Sequence, residues 1–368
     1  MKTKTKKILK RVLILVVAVI GALLLIVIGY LIYLLADYKR LDDNLSLTVR
    51  DKTETTMKIE REYSILTYNV GFCAYLPDFG FFMDGGTESR AKSKESVLDT
   101  LNSINQLIGG LNPDFIMLEE VDERATRSYK VNQRQIVENA FSSYDSVFAV
   151  NYDSSYLFYP FLEPHGASLA GMLTLSKYNI ENNSAIRKSL PIENSLMKFF
   201  DLDRCYSKVY VTIAESQKKL ALFTAHLSAY TSDGTIANEQ IKLLTSDMQA
   251  EYEKGNYVIC GGDFNKDLLG NSEDIFGVSG EGQTWAQPFP LEYLEDKNLS
   301  LVNSYDKEKS PYPSCRNADG PYSENQFVLT VDGFLVSNNI SVSSCAVIGG
   351  DFAYSDHNPV LMKFVLNA

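Results

Sequence analysis

The chain has 368 residues, a formal net charge of −11 at pH 7 and five cysteines: Cys73, Cys205, Cys260, Cys315 and Cys345. The acidic balance argues against generic polyanion binding but not against a metal site, because carboxylates are what a hard cation takes as ligands. The cysteines have no paired spacing and no Cys-x-x-Cys pattern, so neither a disulfide framework nor a cysteine metal site is expected.

Six Lys or Arg fall within the first eleven residues, MKTKTKKILKR, and residues 12–36 then carry no charge. Such a run, rising about 1.5 Å per residue, is long enough for a bilayer core of about 30 Å. A cleavable signal peptide is the competing reading, but its apolar region is shorter and ends in small residues. This run ends Tyr-Leu-Ile-Tyr-Leu-Leu-Ala-Asp, so an uncleaved, single-pass anchor in the cell membrane is expected. By the positive-inside rule, residues 1–11 are a cytoplasmic basic tail and everything after residue 36 is extracytoplasmic. With the six tail charges set aside, the remainder carries −17. Residues 37–60 read as a stalk, and residues 61–368 are at the upper end of length for one domain.

Along that remainder, short β-branched or aromatic runs bounded by turn residues predict strands over 63–69, 115–118, 168–175, 206–213, 220–226, 257–260, 327–336 and 360–365. Helical spacing is found over 93–108, with Val97, Leu101, Ile104 and Ile108 on one face, and over 236–252, with Ile241, Leu244, Met248 and Tyr252. A mixed α and β domain follows. Polar residues stand where the predicted strands end: Asn69, Glu120, His226, Asp263 with Asn265, Asp332, and Asp356 with His357. Taken singly, such residues shape turns and cap helices. In Tyr257-Val-Ile-Cys-Gly-Gly-Asp-Phe-Asn265, however, the two polar side chains are two apart on extended chain and face one side. The glycines let a ligand and the backbone approach closely. Glu119 and Glu120 point to opposite faces, so one of them reaches a site and the other does not.

Seven segments occur in a recognisable order: Leu66-Thr-Tyr-Asn69-Val, Met117-Leu-Glu-Glu120-Val, Gly171-Met-Leu-Thr-Leu-Ser-Lys-Tyr, Thr224-Ala-His226-Leu, Gly262-Asp263-Phe-Asn265, Val331-Asp332-Gly-Phe-Leu-Val-Ser and Ser355-Asp356-His357-Asn-Pro-Val. In these the chain resembles the endonuclease/exonuclease/phosphatase superfamily, which includes pancreatic-type deoxyribonuclease, abasic-site endonucleases and neutral sphingomyelinases. The resemblance implies an α/β (α+β) fold, a four-layer α-β-β-α sandwich of two mixed sheets. It also makes 61–368 one catalytic domain with its site at the loop ends of the sheets. The chain departs from the family at Glu119, where Gln is usual, and at Gly333, where Tyr is usual.

The resemblance implies His357 as general base on an attacking water, oriented by Asp332, with His226 on the phosphoryl oxygens and Asp263 and Asn265 beside the nucleophile. Glu120, Asn69 and Asp356, with Asp263 near them, are the metal-ligand candidates. Oxygen donors of this kind favour Mg²⁺, with Mn²⁺ or Ca²⁺ as alternatives, over zinc. Arg90, Arg127, Arg204 and Arg316, which follow or flank the motif segments, and His165 are candidate substrate contacts, surface ion pairing or loop structure being the alternatives. Phe79-Gly-Phe-Phe-Met83 is either a lipid- or substrate-contacting loop or one tucked onto the core.

The function expected is a membrane-anchored, extracytoplasmic, divalent-metal-dependent phosphodiester hydrolase, nuclease-like, whose partners are a phosphodiester substrate, either nucleic acid or a lipid headgroup, and the membrane. The alternatives are a sphingomyelinase or phospholipid phosphodiesterase and a small-molecule phosphatase. From a different class comes a non-catalytic binding module, against which stands the retention of base, aspartate and metal carboxylate. No protein partner is implied.

Overall fold

A computed structural model describes residues 2–38, 40–192, 196–199, 201–229 and 235–368. The chain divides into two compact units, Met1–Arg40 and Leu41–Ala368. The first is a single helix, Lys2–Asp37, so the basic tail and the expected anchor are one continuous element. Within it Thr5–Asp37 is long and apolar enough to cross a membrane, with a mean hydropathy of 3.4. A helix satisfies its own backbone hydrogen bonds, as a bilayer core requires.

The second unit is built on two seven-stranded mixed sheets. In one the strands lie in the order Ile340–Val347, Val360–Leu366, Glu62–Asn69, Phe115–Ala125, Ser168–Ser176, Asp145–Asp153, Val49–Arg50. In the other the order is Leu45–Ser46, Ile186–Ser189, Cys205–Thr212, Lys219–His226, Tyr257–Asp263, Asp332–Ser337, Leu299–Leu301. Each sheet has one parallel pair, Glu62–Asn69 with Phe115–Ala125 and Lys219–His226 with Tyr257–Asp263; its other pairs are antiparallel. Parallel neighbours need a long crossover. Helices Lys94–Leu111 and Thr235–Glu253 lie in those two connections.

Period-2 alternation sorts the side chains into layers. Ile65, Met117, Leu220, Leu222 and Ile259 meet between the sheets. Leu66, Tyr68, Ile116 and Leu118 face the other way, onto Val97, Leu101, Ile104 and Ile108 of the first helix. Ala221, Phe223, Val258 and Cys260 likewise pack on Ile241, Leu244 and Met248 of the second. The result is the expected α-β-β-α sandwich. Ser93 starts the first helix by accepting the Ser96 N–H at 3.0 Å, and Asn112, in the left-handed conformation, ends it. All five cysteines are unpaired thiols.

Glu251 ties the second helix to its sheet. The carboxylate, 2 % exposed, accepts from Lys208 Nζ at 2.7 Å, Tyr210 OH at 2.8 Å and Asn256 Nδ2 at 2.9 Å. Burial alone would raise its pKa, but these donors and Lys254 outweigh it and hold the group at about 2, below its ordinary 4.5. A depressed carboxyl stabilises the fold above the unfolded pKa and loses that contribution as pH falls through the folded one. Glu251→Gln is therefore expected to cost roughly 2 kcal/mol at pH 7. Thermal denaturation should show the gap from wild type closing as pH falls towards 2; a gap independent of pH would contradict the account.

Two expectations need correction. The compact unit begins at Leu41, so most of the stalk expected over 37–60 is folded onto the domain. Leu45–Ser46 and Val49–Arg50 form edge strands of opposite sheets, and Met57 bridges to Ile213, because Leu47, Val49 and Met57 have apolar surface to bury. The strand expected over 327–336 is two pieces. Val328–Leu329 pairs with Cys315–Arg316, and Asp332–Ser337 joins the second sheet, while the Thr330 and Val331 carbonyls between them accept from Leu268 and Phe264.

Candidate active site

Eleven of the twelve predicted site residues line one cleft of about 540 Å³; the twelfth, Asp332, lies behind His357. The parallel pairs bring this about. At their C-terminal ends Asn69 is in register with Glu119, and His226 with Asp263, which pairs on its other side with Asp332.

His357 Nδ1 lies 2.7 Å from Asp332 Oδ2, and the same oxygen accepts the Ser314 hydroxyl at 2.7 Å. Ser314 Oγ in turn accepts the Val331 and Asp332 N–H groups, which fixes the orientation of the pair. A carboxylate only accepts, so the proton is assigned to Nδ1 and the Nε2 lone pair is left for the cleft. Nε2 is 3.6 Å from Cys315 Sγ and 3.8 Å from Asp263 Oδ2. Burial alone would depress this imidazole, but Asp332 above all holds its pKa well above the usual value.

Asp263 stands at the centre. Its Oδ2 accepts from Asn69 Nδ2 at 3.1 Å and is 3.6 Å from His226 Nε2, while Oδ1 accepts the Asn265 N–H at 2.8 Å. Burial, and then the Asp332 charge, push its pKa up to about 7 against the opposing pull of His357. His226 moves the other way: burial first, then Arg204 and the neighbouring His357, keep it neutral. Asn265 donates to the Leu227 carbonyl at 2.8 Å, which anchors it as a support for Asp263. Gly262 beside them serves strand packing, since a Cβ there would meet the Ala225 carbonyl oxygen at 1.9 Å; the close approach is backbone to backbone and not ligand to backbone.

The two adjacent glutamates separate as expected, but through a β-bulge. The register against Ser168–Ser176 slips between Leu118 and Val121, and Glu120 takes a left-handed φ of 55°. Glu120 thereby lines the cleft, whereas Glu119 is fully buried and accepts from Thr67 at 3.1 Å. Asn265, at φ 48°, is a second site residue in that conformation; strain of this kind collects at functional positions.

None of the arginines lining the cleft is a surface ion pair. Arg127, over the Phe72 ring, binds Asp122 at 2.9 and 3.3 Å. Arg204 donates to the Leu227 carbonyl at 2.8 Å and pairs with Asp201 at 3.4 Å. Arg316 spends its terminal nitrogens on the carbonyls of Asn317, Gly320, Leu76 and Phe79, and so clamps the loop that carries Phe79. Arg90 donates to the Pro164 carbonyl at 2.5 Å, outside the cleft wall. His165 Nδ1 bonds the Ser89 carbonyl at 3.0 Å, and burial lowers its pKa to about 3. Of the loop 79–83, Phe79 is core while Phe81 and Met83 line the cleft.

The sequence model of the Endonuclease/Exonuclease/phosphatase family matches residues 66–357, which span every motif from Asn69 to His357. The chain belongs to that family. It is an enzyme of phosphate-ester hydrolysis. Several solved family structures share its fold. An endonuclease/exonuclease/phosphatase from Beutenbergia cavernae is 17 % identical over 84 % of this chain and 72 % of its own, with a TM-score of 0.60. Zebrafish (D. rerio) TDP2, solved with a single-strand DNA product, is 15 % identical over 83 % of this chain and 99 % of its own, at 0.52. ANGEL2, described as a 2',3'-cyclic phosphatase and solved with adenosine-2',3'-vanadate, is 13 % identical over 88 % and 99 %, at 0.53. Likeness at this level establishes the fold alone. No curated protein is significantly similar to the chain in sequence.

Members of the family typically use divalent metals, and the donor set here fits one. Asp263 is buried and Glu120 and Asp356 are half-buried; loss of solvation raises the pKa of all three carboxyls, and the Asp356 charge adds to the rise at Glu120. The guanidinium that acts on Glu120, Arg127, is already held by Asp122. Anionic oxygens gathered this way favour a hard cation on Glu120 and Asp356; the Asn69 side chain adjoins them, its Nδ2 3.4 Å from Glu120 and its Oδ1 accepting the Gly71 N–H at 3.0 Å. Asp263, Asp332 and His357 also bring ligand atoms within 4.8 Å of one another. Nδ1 of that histidine is already occupied by Asp332, so this trio reads as a hydrogen-bonded base.

Sequence reasoning overlooked Ser314, Cys315, Asp122 and Tyr152. Ser314 immediately precedes the two-residue strand Cys315–Arg316, too short for any periodic signal. Asp122 and Arg127 are five apart on a bulged strand and its following turn, a spacing with no standard meaning. Tyr152 lies on a strand that was not expected.

Proposed function

We propose that the chain is a divalent-metal-dependent phosphodiester hydrolase, anchored by its N-terminal helix with the domain on the extracytoplasmic side. One observation carries the chemical part: the His357–Asp332 pair, 2.7 Å apart and braced by Ser314, turns the imidazole Nε2 into a cleft lined by carboxylates, 3.8 Å from Asp263 and beside the Cys315 thiol. His357 Nε2 takes the proton of a water that attacks phosphorus, and Asp332 stabilises the imidazolium that forms. Asp263, held by Asn69 and Asn265, orients that water. The neutral His226 donates a hydrogen bond from Nε2 to a phosphoryl oxygen as the bond to the leaving oxygen breaks, and that oxygen takes a proton from solvent and departs as the alcohol. A cation held by Glu120, Asp356 and Asn69, Mg²⁺ by donor type, would neutralise phosphoryl charge. The six basic residues before an uncharged span support the orientation across the membrane.

The nuclease-like reading draws on the breadth of the family and on the nucleic-acid and nucleotide complexes among its fold neighbours. A lipid-headgroup diester is favoured by a separate observation, the apolar part of the cleft wall formed by Phe81, Met83, Leu202 and Trp285. One panel tests both: full-length protein on plasmid DNA, RNA, sphingomyelin and a chromogenic monoester, with EDTA and with Mg²⁺ restored. Hydrolysis of at least one diester, abolished by EDTA and recovered with Mg²⁺, is expected. Turnover undiminished in EDTA would refute the metal requirement, and turnover of the monoester alone would refute the diester assignment.

A further inference from the structure

Between the strands Asp145–Asp153 and Ser168–Ser176 runs Tyr156-Leu-Phe-Tyr-Pro-Phe-Leu162, without a charge. Its tip is in water: Phe161 is 81 % exposed, Tyr159 61 % and Leu162 entirely. The loop has a built base. Leu157 and Gly166 exchange backbone hydrogen bonds at 3.1 and 3.0 Å, and the His165 N–H donates to the Tyr159 carbonyl at 3.2 Å. It also adjoins the cleft, since the Tyr159 ring is 5.7 Å from Phe82, which is 6.0 Å from the cleft-lining His165. Met83, 48 % exposed, continues the apolar surface into the cleft wall. A clustered apolar tip beside a catalytic cleft marks an interaction surface.

We propose that the loop 156–162 inserts its tip into a lipid bilayer and so sets the mouth of the cleft at the level of the headgroups. Its chemistry selects that occupant. No Lys or Arg occurs between Arg134 and Lys177, and Arg90 at the base of the loop turns its Nε to the Pro164 carbonyl, whereas a platform for nucleic-acid strands pairs its aromatics with cations that face the strand. Leu162 has no ring to stack a base. The chain supplies the membrane as well. Only residues 38–40 separate the end of the membrane-length helix at Asp37 from the start of the compact unit at Leu41. A domain anchored in this way stays at a bilayer, where modest apolar insertion suffices. The inference rests on the anchor reading above and extends it by favouring a lipid-headgroup phosphodiester as substrate.

Trp285 is the one tryptophan in the chain, so Trp285→Phe with Phe161→Trp leaves a single indole, at the tip. Full-length protein of this form is reconstituted into phosphatidylcholine vesicles with plain or brominated acyl chains, floated on a gradient, and its fluorescence read. Expected are flotation, blue-shifted emission and quenching by the brominated chains several-fold above that in plain vesicles. Flotation with water-like, unquenched emission would overturn the docking loop and leave the anchor standing. Failure to float would overturn both. Water-like emission in vesicles that shifts only when single-stranded DNA is added would assign the loop to base stacking instead.

Discussion

His357→Ala protein is expected to lose about 10³-fold in kcat, with KM little changed. The side chain is 6 % exposed and its removal leaves Asp332 Oδ2 with the Ser314 hydroxyl, so the fold survives while the water loses its proton acceptor. Asp332→Asn separates this role from simple packing. An amide nitrogen facing Nδ1 favours the tautomer with the proton on Nε2, which cannot accept, and a loss of comparable size follows. The pH profile adds a second readout. The base must be neutral to work, and Asp332 is the main group raising its pKa against burial. The acid limb of kcat/KM therefore moves to lower pH in Asp332→Asn. Wild-type turnover in His357→Ala, or an unmoved limb in Asp332→Asn, would rule out the base assignment.

How much of this was written in the sequence depends on the range of each interaction. The strands ending at Asn69, His226 and Asp263 were legible because each carries its own apolar run and stops at a polar residue, and the register then had to bring those ends together. Strand Asp145–Asp153 was missed because it is buried on both faces through most of its length and shows no alternation. Ile340–Val347 was missed for the opposite reason, an exposed edge rich in serine. Nothing local announces the bulge at Glu120, which exists only relative to the partner strand. The fate of Arg316 is likewise set by carbonyls about 240 positions earlier in the chain. The folded lead-in is different: Leu45, Leu47 and Val49 alternate, and a period-2 reading of those residues would have removed most of the stalk.

Asp263→Asn is expected to lower kcat by about 10²- to 10³-fold and, in the absence of divalent cations, to abolish a pH dependence of stability. The catalytic loss follows from acceptors. Both carboxylate oxygens are in use, Oδ1 by the Asn265 N–H and Oδ2 by the Asn69 amide, with His226 and His357 within 3.8 Å. An asparagine must turn a donor towards one of them, which disturbs the water held near Nε2. The stability effect has the sign of a raised acid. Below the ordinary pKa of 3.8 Asp263 costs nothing; between there and about 7 the unfolded chain ionises while the folded one does not. Stability is therefore lost as pH rises through that window, by up to about 4 kcal/mol above it. Asparagine carries no such penalty, so the melting temperature of the variant relative to wild type should rise between pH 5 and pH 8 in EDTA. Mg²⁺ at pH 8 should stabilise wild type more than the variant, because a cation bound near the native carboxylate acts only on the folded state. Parallel melting curves across pH would show that Asp263 is not the strained, cation-seeking group this geometry describes, and the same protein assayed for turnover would tell whether its carboxylate is needed for chemistry even so.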